Sequence, residues 1–90
     1  MENTQTLVLD FYSDQCGPCR LLARDLEDLS KDFSNIKIEK LNIFDNYELT
    51  EKYNIMSVPT LVVVKDNEIK GSYSGYRGKD HLKQFLTENI

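Results

Sequence analysis

The chain has 90 residues, a net charge of −4 at pH 7 and a hydrophobic fraction of 40%, which are the size and composition of a single domain over residues 1–90. Its acidic and basic residues are interspersed, so no basic patch is present to bind nucleic acid or an anionic membrane surface. The longest apolar run, Leu61–Val64, is too short to span a bilayer. Residues 1–5 lack the features of a signal peptide, so we expect a cytoplasmic protein.

Hydrophobic periodicity predicts the order of strands and helices. The nearly continuous apolar run Thr6–Tyr12 is typical of a central strand buried on both faces, and Asp10 interrupts it. From Pro18 to Phe33 the apolar residues recur at helical spacing, which predicts a helix with Asp25 on its polar side. The later segments are predicted to be, in order, a strand Ile36–Ile43, a short helix Glu48–Tyr53, strands Thr60–Lys65 and Glu68–Tyr73, and a closing helix Lys79–Ile90.

The resulting order, β-α-β-α-β-β-α, belongs to the α/β class. The first two strands are joined by a long helix, so we expect them to be parallel with a right-handed crossover. Only Asp66-Asn67 separates the third strand from the fourth. Because asparagine tolerates positive φ, this pair predicts a tight antiparallel hairpin.

The only two cysteines lie in the segment Cys16-Gly17-Pro18-Cys19, between the first strand and the first helix. Residues three apart on a first helical turn are neighbours, so we expect the two sulfurs to lie within disulfide distance. With Cys16 as the N-cap, unpaired N–H groups and the helix dipole lower the pKa of its thiol from ~8.5 toward neutrality. Cys19 lies one turn further in and should be less exposed. The pattern predicts that Cys16 attacks a substrate disulfide and that Cys19 then attacks Cys16 to release the reduced substrate.

The same spacing also occurs in half of a zinc site and in inert cysteine pairs. A structural zinc ion needs four ligands, and only His81, in the polar register of the last helix, could join the cysteines as a histidine ligand. The strand before the pair and the helix after it favour redox chemistry. We therefore expect no metal site and no cofactor.

From Leu7 to the last helix the sequence resembles the thioredoxin family. The segments that carry the resemblance are Asp10-Phe11, Cys16-Gly17-Pro18-Cys19, Lys40-Leu41-Asn42-Ile43, Val58-Pro59-Thr60 and Gly75. The resemblance implies a thioredoxin-like fold with a four-stranded mixed sheet in the order 2-1-3-4 and helices on both faces. The family's usual first strand and helix are expected to be missing, since residues 1–5 cannot supply them.

The resemblance also implies roles for two charged residues. Asp10 is expected to be buried behind Cys19 and to act through water as its general base; the alternative is a strand-end aspartate in solvent. Lys40 is expected to neighbour Asp10 and to tune its pKa. The alternative for Lys40 is a snorkelling lysine without a catalytic role.

Substrate-binding residues follow from the resemblance as well. The bond before Pro59 is expected to be cis and to face the disulfide, so that the Val58 backbone pairs with an extended substrate segment; the alternative is a trans proline that opens a strand. Gly75 and Tyr76 are expected to complete an apolar rim around Cys16, and Tyr76 is equally consistent with plain surface. The other residues assigned to this surface are Gln15, Gly17 and Pro18, with Gln15 in place of the usual aromatic residue.

The functional hypothesis is a thiol–disulfide oxidoreductase that reduces protein disulfides. Gly17-Pro18 between the cysteines resembles the reducing members of the superfamily. The expected partners are disulfide-containing proteins and, as electron donor, a flavoprotein thioredoxin reductase, and the protein is expected to act as a monomer. Two alternatives stay open: a glutathione-linked, glutaredoxin-like reductase, and a non-catalytic binding module with the same fold.

Overall fold

The computed structural model describes residues 5–90 of the chain. Two predictions concern residues 1–5: that they form no signal peptide, and that they supply no additional strand and helix. Residues 1–4 of this segment lie outside the described part. The α-helices and strands follow the predicted order β-α-β-α-β-β-α. They are, in chain order, β1 (Thr6–Tyr12), α1 (Gly17–Leu29), β2 (Ile36–Asn42), α2 (Tyr47–Lys52), β3 (Thr60–Lys65), β4 (Glu68–Ser74) and α3 (Lys79–Asn89).

The largest difference from the predicted boundaries is at the end of α1. The helix ends at Leu29 rather than Phe33, and the chain continues as a short 3₁₀ segment over Ser30–Asp32. The Ser30 hydroxyl donates a hydrogen bond of 2.7 Å to the backbone oxygen of Glu27. Serine side chains that bond the backbone in this way compete with regular helix. The other boundaries differ from the predictions by about one residue, which is the usual uncertainty of helix and strand ends.

The four strands form one mixed sheet in the order β2-β1-β3-β4, which confirms the predicted order. β1 and β2 are parallel, and their register runs from Thr6 opposite Ile36 to Tyr12 opposite Asn42. β3 is antiparallel to both β1 and β4. β1 therefore has a hydrogen-bonded neighbour on each side.

The hairpin between β3 and β4 has the predicted turn and an unpredicted bulge. Asp66 and Asn67 have φ values of 55° and 64°, and two successive positive values match the twist of the flanking strands. Further along, Val63 pairs with Gly71 and Val64 with Ile69. Lys70 is therefore the additional residue of a β-bulge, and the bulge was not predicted although Gly71 beside it is a glycine within a strand, which often marks one.

The sheet has a hydrophobic cluster on each face, which confirms that helices cover both faces. In β1, Val8 belongs to the cluster packed under α1 and α3, whereas Leu9 and Phe11 belong to the cluster on the α2 face. Because side chains alternate between faces along a strand, Asp10 shares the face of Val8. This alternation directs the Asp10 carboxyl group toward α1, the helix that begins beside the cysteines.

The prediction that Asp25 lies on the polar side of the first helix is wrong. Asp25 is only 6% exposed, close to the values for Leu22 and Leu29, which are 0% and 4%. Asp25 lies three residues after Leu22 and four before Leu29, so helical spacing places it on the buried face. The sequence therefore contained the signal for its burial, although its charge suggested the opposite.

All helices of the described part are short. The longest, α1, has 13 residues. Within residues 5–90, no helix is long and apolar enough to cross a membrane.

Candidate active site

One edge of the sheet collects the loops that carry the predicted site residues. Tyr12 lies opposite Asn42, Phe11 lies opposite Thr60, and Thr60 lies opposite Ser74. The ends of β1, β2 and β4 and the start of β3 therefore meet at this edge. The loops that leave it contain Cys16, the Val58–Pro59 segment and Gly75.

The two cysteines form a disulfide at the start of α1, with their Cα atoms 5.2 Å apart. Cys16 is the N-cap, as predicted, and its Sγ atom accepts a hydrogen bond of 3.2 Å from the backbone N–H of Cys19. Cys16 is half-buried, whereas Cys19 is only 3% exposed. Among the described residues, no group of three histidine, cysteine or acidic side chains could hold a metal ion. The two sulfurs thus form a disulfide in which Cys16 is more accessible than Cys19.

The loop before Cys16 is held by Asp14, for which the sequence predicted no role. The Asn42 amide donates a hydrogen bond of 3.2 Å to Asp14 Oδ1. The Arg20 guanidinium donates one of 3.2 Å to the Asp14 backbone oxygen. These contacts connect the loop with the end of β2 and with the first turn of α1.

Asp10 lies buried beneath the cysteines. It is 1% exposed, and its Oδ1 atom has no hydrogen-bond partner among the described residues. Burial raises the pKa of Asp10 from 3.8 to about 6, and the positive charge of Lys40 opposes this effect in part. Asp10, Cys19 and Lys40 line the same cavity, which has a volume of about 230 Å³. The position in solvent that was the alternative for Asp10 is wrong.

Lys40 lies beside Asp10 and is also exposed to solvent. It lies directly opposite Asp10 in the parallel β1–β2 register, and its charge acts on the Asp10 carboxyl group. Its side chain is exposed, and the Nζ atom lies 5.6 Å from the centre of the Tyr12 ring. The lysine therefore reaches solvent across an aromatic ring while remaining next to Asp10.

The Val58–Pro59 segment and Gly75 are joined by a backbone contact. The Val58–Pro59 bond is cis, as the resemblance implies, and Pro59 is buried. The Gly75 N–H donates a hydrogen bond of 2.8 Å to the Pro59 oxygen. Gly75 has a φ of 81°, and a Cβ atom there would meet no other atom within 4 Å. Glycine is therefore favoured at this position by the backbone conformation and not by lack of space.

The other predicted substrate-binding residues differ in their surroundings. Gln15, Gly17 and Pro18 are exposed beside Cys16, and Val58 is half-buried. Tyr76 is also half-buried, and its hydroxyl donates a hydrogen bond of 2.6 Å to Asp25 Oδ2. This acceptor raises the pKa of the Tyr76 hydroxyl. The tyrosine hydroxyl is thus engaged with α1, a partner that its sequence position did not indicate.

Comparisons with known proteins agree with this geometry. A family model described as Thioredoxin matches residues 1–88. The chain is 35% identical over 91 residues to a thioredoxin of Bacillus subtilis, and the match covers 99% of this chain and 88% of the relative. It is 40% identical over 84 residues to a thioredoxin of Buchnera aphidicola, covering 92% of this chain and 78% of the relative. The solved structure of Fasciola hepatica thioredoxin matches with a TM-score of 0.85 and 30% identity, covering 96% of this chain and 82% of that chain.

The similarity extends over nearly the full length of the chain and includes the two cysteines. The structure agrees with this similarity in the order of its strands and in the disulfide at the start of α1. The chain therefore belongs to the thioredoxin family and is a thiol–disulfide oxidoreductase that catalyses dithiol–disulfide exchange.

Proposed function

We propose that the protein reduces disulfide bonds of other proteins, with Cys16 as the attacking residue and Cys19 as the resolving residue. The observation that carries this assignment is the inequality of the two sulfurs. Cys16 is half-buried and caps the helix, whereas Cys19 is 3% exposed. A substrate sulfur therefore has access to Cys16 first.

The helix start supports the first step. The Cys16 sulfur accepts the Cys19 backbone N–H, and the positive end of the helix dipole also favours the thiolate over the thiol. In the reduced protein, the Cys16 thiolate attacks one sulfur of a substrate disulfide. The substrate S–S bond breaks, a bond from Cys16 to the substrate forms, and the other substrate sulfur leaves as a thiolate.

The cavity below the cysteines supports the second step. Asp10 and Cys19 both line it, and a carboxyl group with a pKa of about 6 can exchange protons near neutral pH. The Asp10 carboxylate takes the proton of the Cys19 thiol through water, with Lys40 lowering the pKa of Asp10. The Cys19 thiolate then attacks the Cys16 sulfur and displaces the second substrate sulfur. The substrate has gained two electrons, and the Cys16–Cys19 disulfide has formed.

The surface around Cys16 is assigned to substrate binding. We propose that the backbone of Val58, before the cis bond, pairs with an extended substrate segment, as in β-strand addition. Gly75 lies beside it through its contact with Pro59. The exposed residues Gln15, Gly17 and Pro18 then complete the substrate surface on the side of the cysteines.

The oxidised protein needs a donor of two electrons to return to the dithiol. The family membership supports a flavoprotein thioredoxin reductase in this role, and the Gly17-Pro18 pair resembles the reducing members of the superfamily. We further propose that the protein works as a monomer in the cytoplasm, where thiols are kept reduced.

Trapping the intermediate tests the assignment of the two cysteines. The Cys19→Ser variant cannot resolve the mixed disulfide, so incubation of the reduced variant with insulin should give a covalent adduct of the protein and insulin. Intact-mass measurement and peptide mapping should locate the bond at Cys16, and dithiothreitol should release it. The matched Cys16→Ser variant should give far less adduct. Predominant adduct formation through Cys19 would reverse the assignment.

A second experiment tests the electron donor. The oxidised protein is mixed with insulin and either NADPH with a flavoprotein thioredoxin reductase, or glutathione with NADPH and glutathione reductase. Insulin reduction that depends on the flavoprotein thioredoxin reductase is expected. Faster reduction with glutathione would support the glutaredoxin-like alternative.

A further inference from the structure

A partly buried hydrogen bond outside the reacting groups joins α1 to the loop that follows β4. The Tyr76 hydroxyl donates to Asp25 Oδ2 at 2.6 Å, and Asp25 is only 6% exposed. Hydrogen bonds to a carboxylate are about twice as strong as those between neutral groups. On its other side, Asp25 Oδ1 lies 3.7 Å from the Nε atom of Arg24, whose side chain is mostly exposed. The dithiol–disulfide exchange described above uses neither Tyr76 nor Asp25.

The two partners lie on the two elements that carry opposite sides of the proposed substrate surface. α1 carries Cys19 in its first turn and Asp25 roughly two turns later. Tyr76 directly follows Gly75, whose N–H bonds the Pro59 oxygen at 2.8 Å. Contacts therefore run without interruption from the helix of the cysteines through Asp25, Tyr76 and Gly75 to the cis-proline segment.

In the loop between β4 and α3, the Gly75 N–H holds the start of the loop to Pro59, and Tyr76 connects the loop with α1. Gly75 and Gly78, on either side of Tyr76 and Arg77, have φ values of 81° and 97°, a region that glycine occupies readily. The Tyr76 ring packs against the hydrophobic cluster under α1 and α3. A second polar contact between this region and α1 is the ion pair of Lys79 with Asp28, but both side chains are about half exposed. Exposed ion pairs contribute little to stability.

We propose that the Tyr76–Asp25 hydrogen bond positions the Gly75 and Val58–Pro59 side of the substrate surface relative to Cys16, and thereby sets the affinity for protein disulfides. This inference rests on the proposed function, because it concerns the docking of a protein segment beside Cys16. A small disulfide reaches Cys16 without needing the opposite side of the surface. Tyr76 and Asp25 are therefore positioning residues that favour protein substrates over small disulfides.

A double-mutant cycle tests the proposal. Tyr76→Phe keeps the ring and removes only the hydroxyl, whereas Asp25→Leu removes the acceptor and leaves Tyr76 intact. The pre-reduced protein is mixed with increasing concentrations of insulin, quenched with acid, and alkylated to count its remaining thiols. The half-saturating concentration and the limiting rate are compared with those for hydroxyethyl disulfide, a small substrate. The matched control is Lys79→Gln, which removes the exposed ion pair.

The half-saturating insulin concentration should rise roughly fivefold in each single variant, a factor that corresponds to about half the strength of a hydrogen bond to a carboxylate, because the intramolecular bond acts on binding only through position. The double variant should be no weaker than the single variants, because all three lack the same bond. The change with hydroxyethyl disulfide should be several times smaller, and the limiting rate with insulin should change by less than about twofold. Asp25→Asn should restore most of the affinity, since an amide oxygen can accept the same hydrogen bond. Lys79→Gln should behave as the unmodified protein.

Several results would overturn the proposal. If Asp25→Leu binds insulin like the unmodified protein while Tyr76→Phe is weakened, the hydroxyl contacts substrate directly. Additive losses, or equal losses with insulin and hydroxyethyl disulfide, would also exclude a shared positioning role. Failure of the unmodified protein to reduce insulin, despite reaction with hydroxyethyl disulfide, would instead refute the proposed function and this inference with it. Melting temperatures show which variants are folded, and Asp25→Leu places an apolar side chain on the same helix face as Leu22 and Leu26.

Discussion

Replacing Asp10 with asparagine removes a carboxyl group that is buried between the sheet and α1, where Asp10 is 1% exposed. Burial raises the pKa of this group from 3.8 to about 6, so the native state binds its proton more tightly than the unfolded chain does. Each tenfold change in proton affinity corresponds to about 1.4 kcal/mol. Ionisation of Asp10 therefore costs the folded state about 3 kcal/mol at pH values well above 6.

The sign of the pH dependence follows from the direction of this change. Below pH 3.8 the carboxyl group is protonated in both states, and Asp10 contributes no charge penalty. As the pH rises through 3.8 and then through about 6, the unfolded chain loses its proton first and the native state becomes relatively less stable. Asp10→Asn lacks this loss, so its stability relative to the unmodified protein should increase between pH 4 and pH 8 by about 2–3 kcal/mol.

Urea unfolding of the oxidised protein at pH 4 and pH 8, followed by circular dichroism, measures this difference. Comparing the two pH values cancels any constant cost of burying the asparagine amide. Asp45→Asn is the control, because Asp45 is exposed and its substitution should change the stability difference little between the two pH values. If the free energy of unfolding changes by the same amount between pH 4 and pH 8 in Asp10→Asn and in the unmodified protein, burial does not raise the pKa of Asp10 as described.

Two further predictions concern Lys40 and Gly71. Lys40→Met removes the positive charge that lowers the pKa of Asp10, so the titration midpoint of the Asp10 carboxyl, measured by carbon NMR, should move to higher pH; an unchanged midpoint would contradict the assigned interaction. Gly71→Ala places a Cβ atom 2.5 Å from Asn89 Oδ1, so the end of this side chain must move. Because the Asn89 amide donates a hydrogen bond to the Phe85 backbone oxygen, this move should lower the free energy of unfolding by no more than about 1 kcal/mol. In an Asn89→Ala background, which already lacks that hydrogen bond, Gly71→Ala should cost nothing in urea titrations, and equal losses in both backgrounds would contradict this account.

Local patterns in the sequence predicted the order of the elements, the hairpin and the position of the cysteines, whereas the order of the strands in the sheet was implied by the resemblance to the thioredoxin family. The continuous apolar run of β1 predicted a central strand, and the short Asp66-Asn67 connection predicted the hairpin. Placement of Cys16 at a strand-to-helix junction predicted an N-cap, since a helix starting there exposes its first N–H groups. These features depend on local spacing, which a single sequence displays directly.

The contacts of Asp25 and Tyr76 were not predicted, because the two residues are 51 positions apart. A buried acid on an apolar helix face is favourable only when a donor reaches it. That donor comes from the loop after β4, and no local pattern pairs the loop with α1. The bulge at Lys70 has the same origin, since it depends on how β4 pairs with β3.

The central position of β1 in the sheet determines how rarely the backbone around Asp10 opens. Asp10 pairs with Lys40 on one side and with Leu61 on the other, so the amide hydrogens of this strand are expected to exchange with solvent only through global unfolding. We therefore expect the carboxyl group to be carried by one of the slowest-exchanging segments, whereas Cys16 lies at the junction of a loop and α1. Placement of a reacting group on a regular element gives higher precision than placement on a loop. The proposed proton exchange with Cys19 would therefore use a carboxyl group whose backbone keeps its position throughout the native lifetime of the protein.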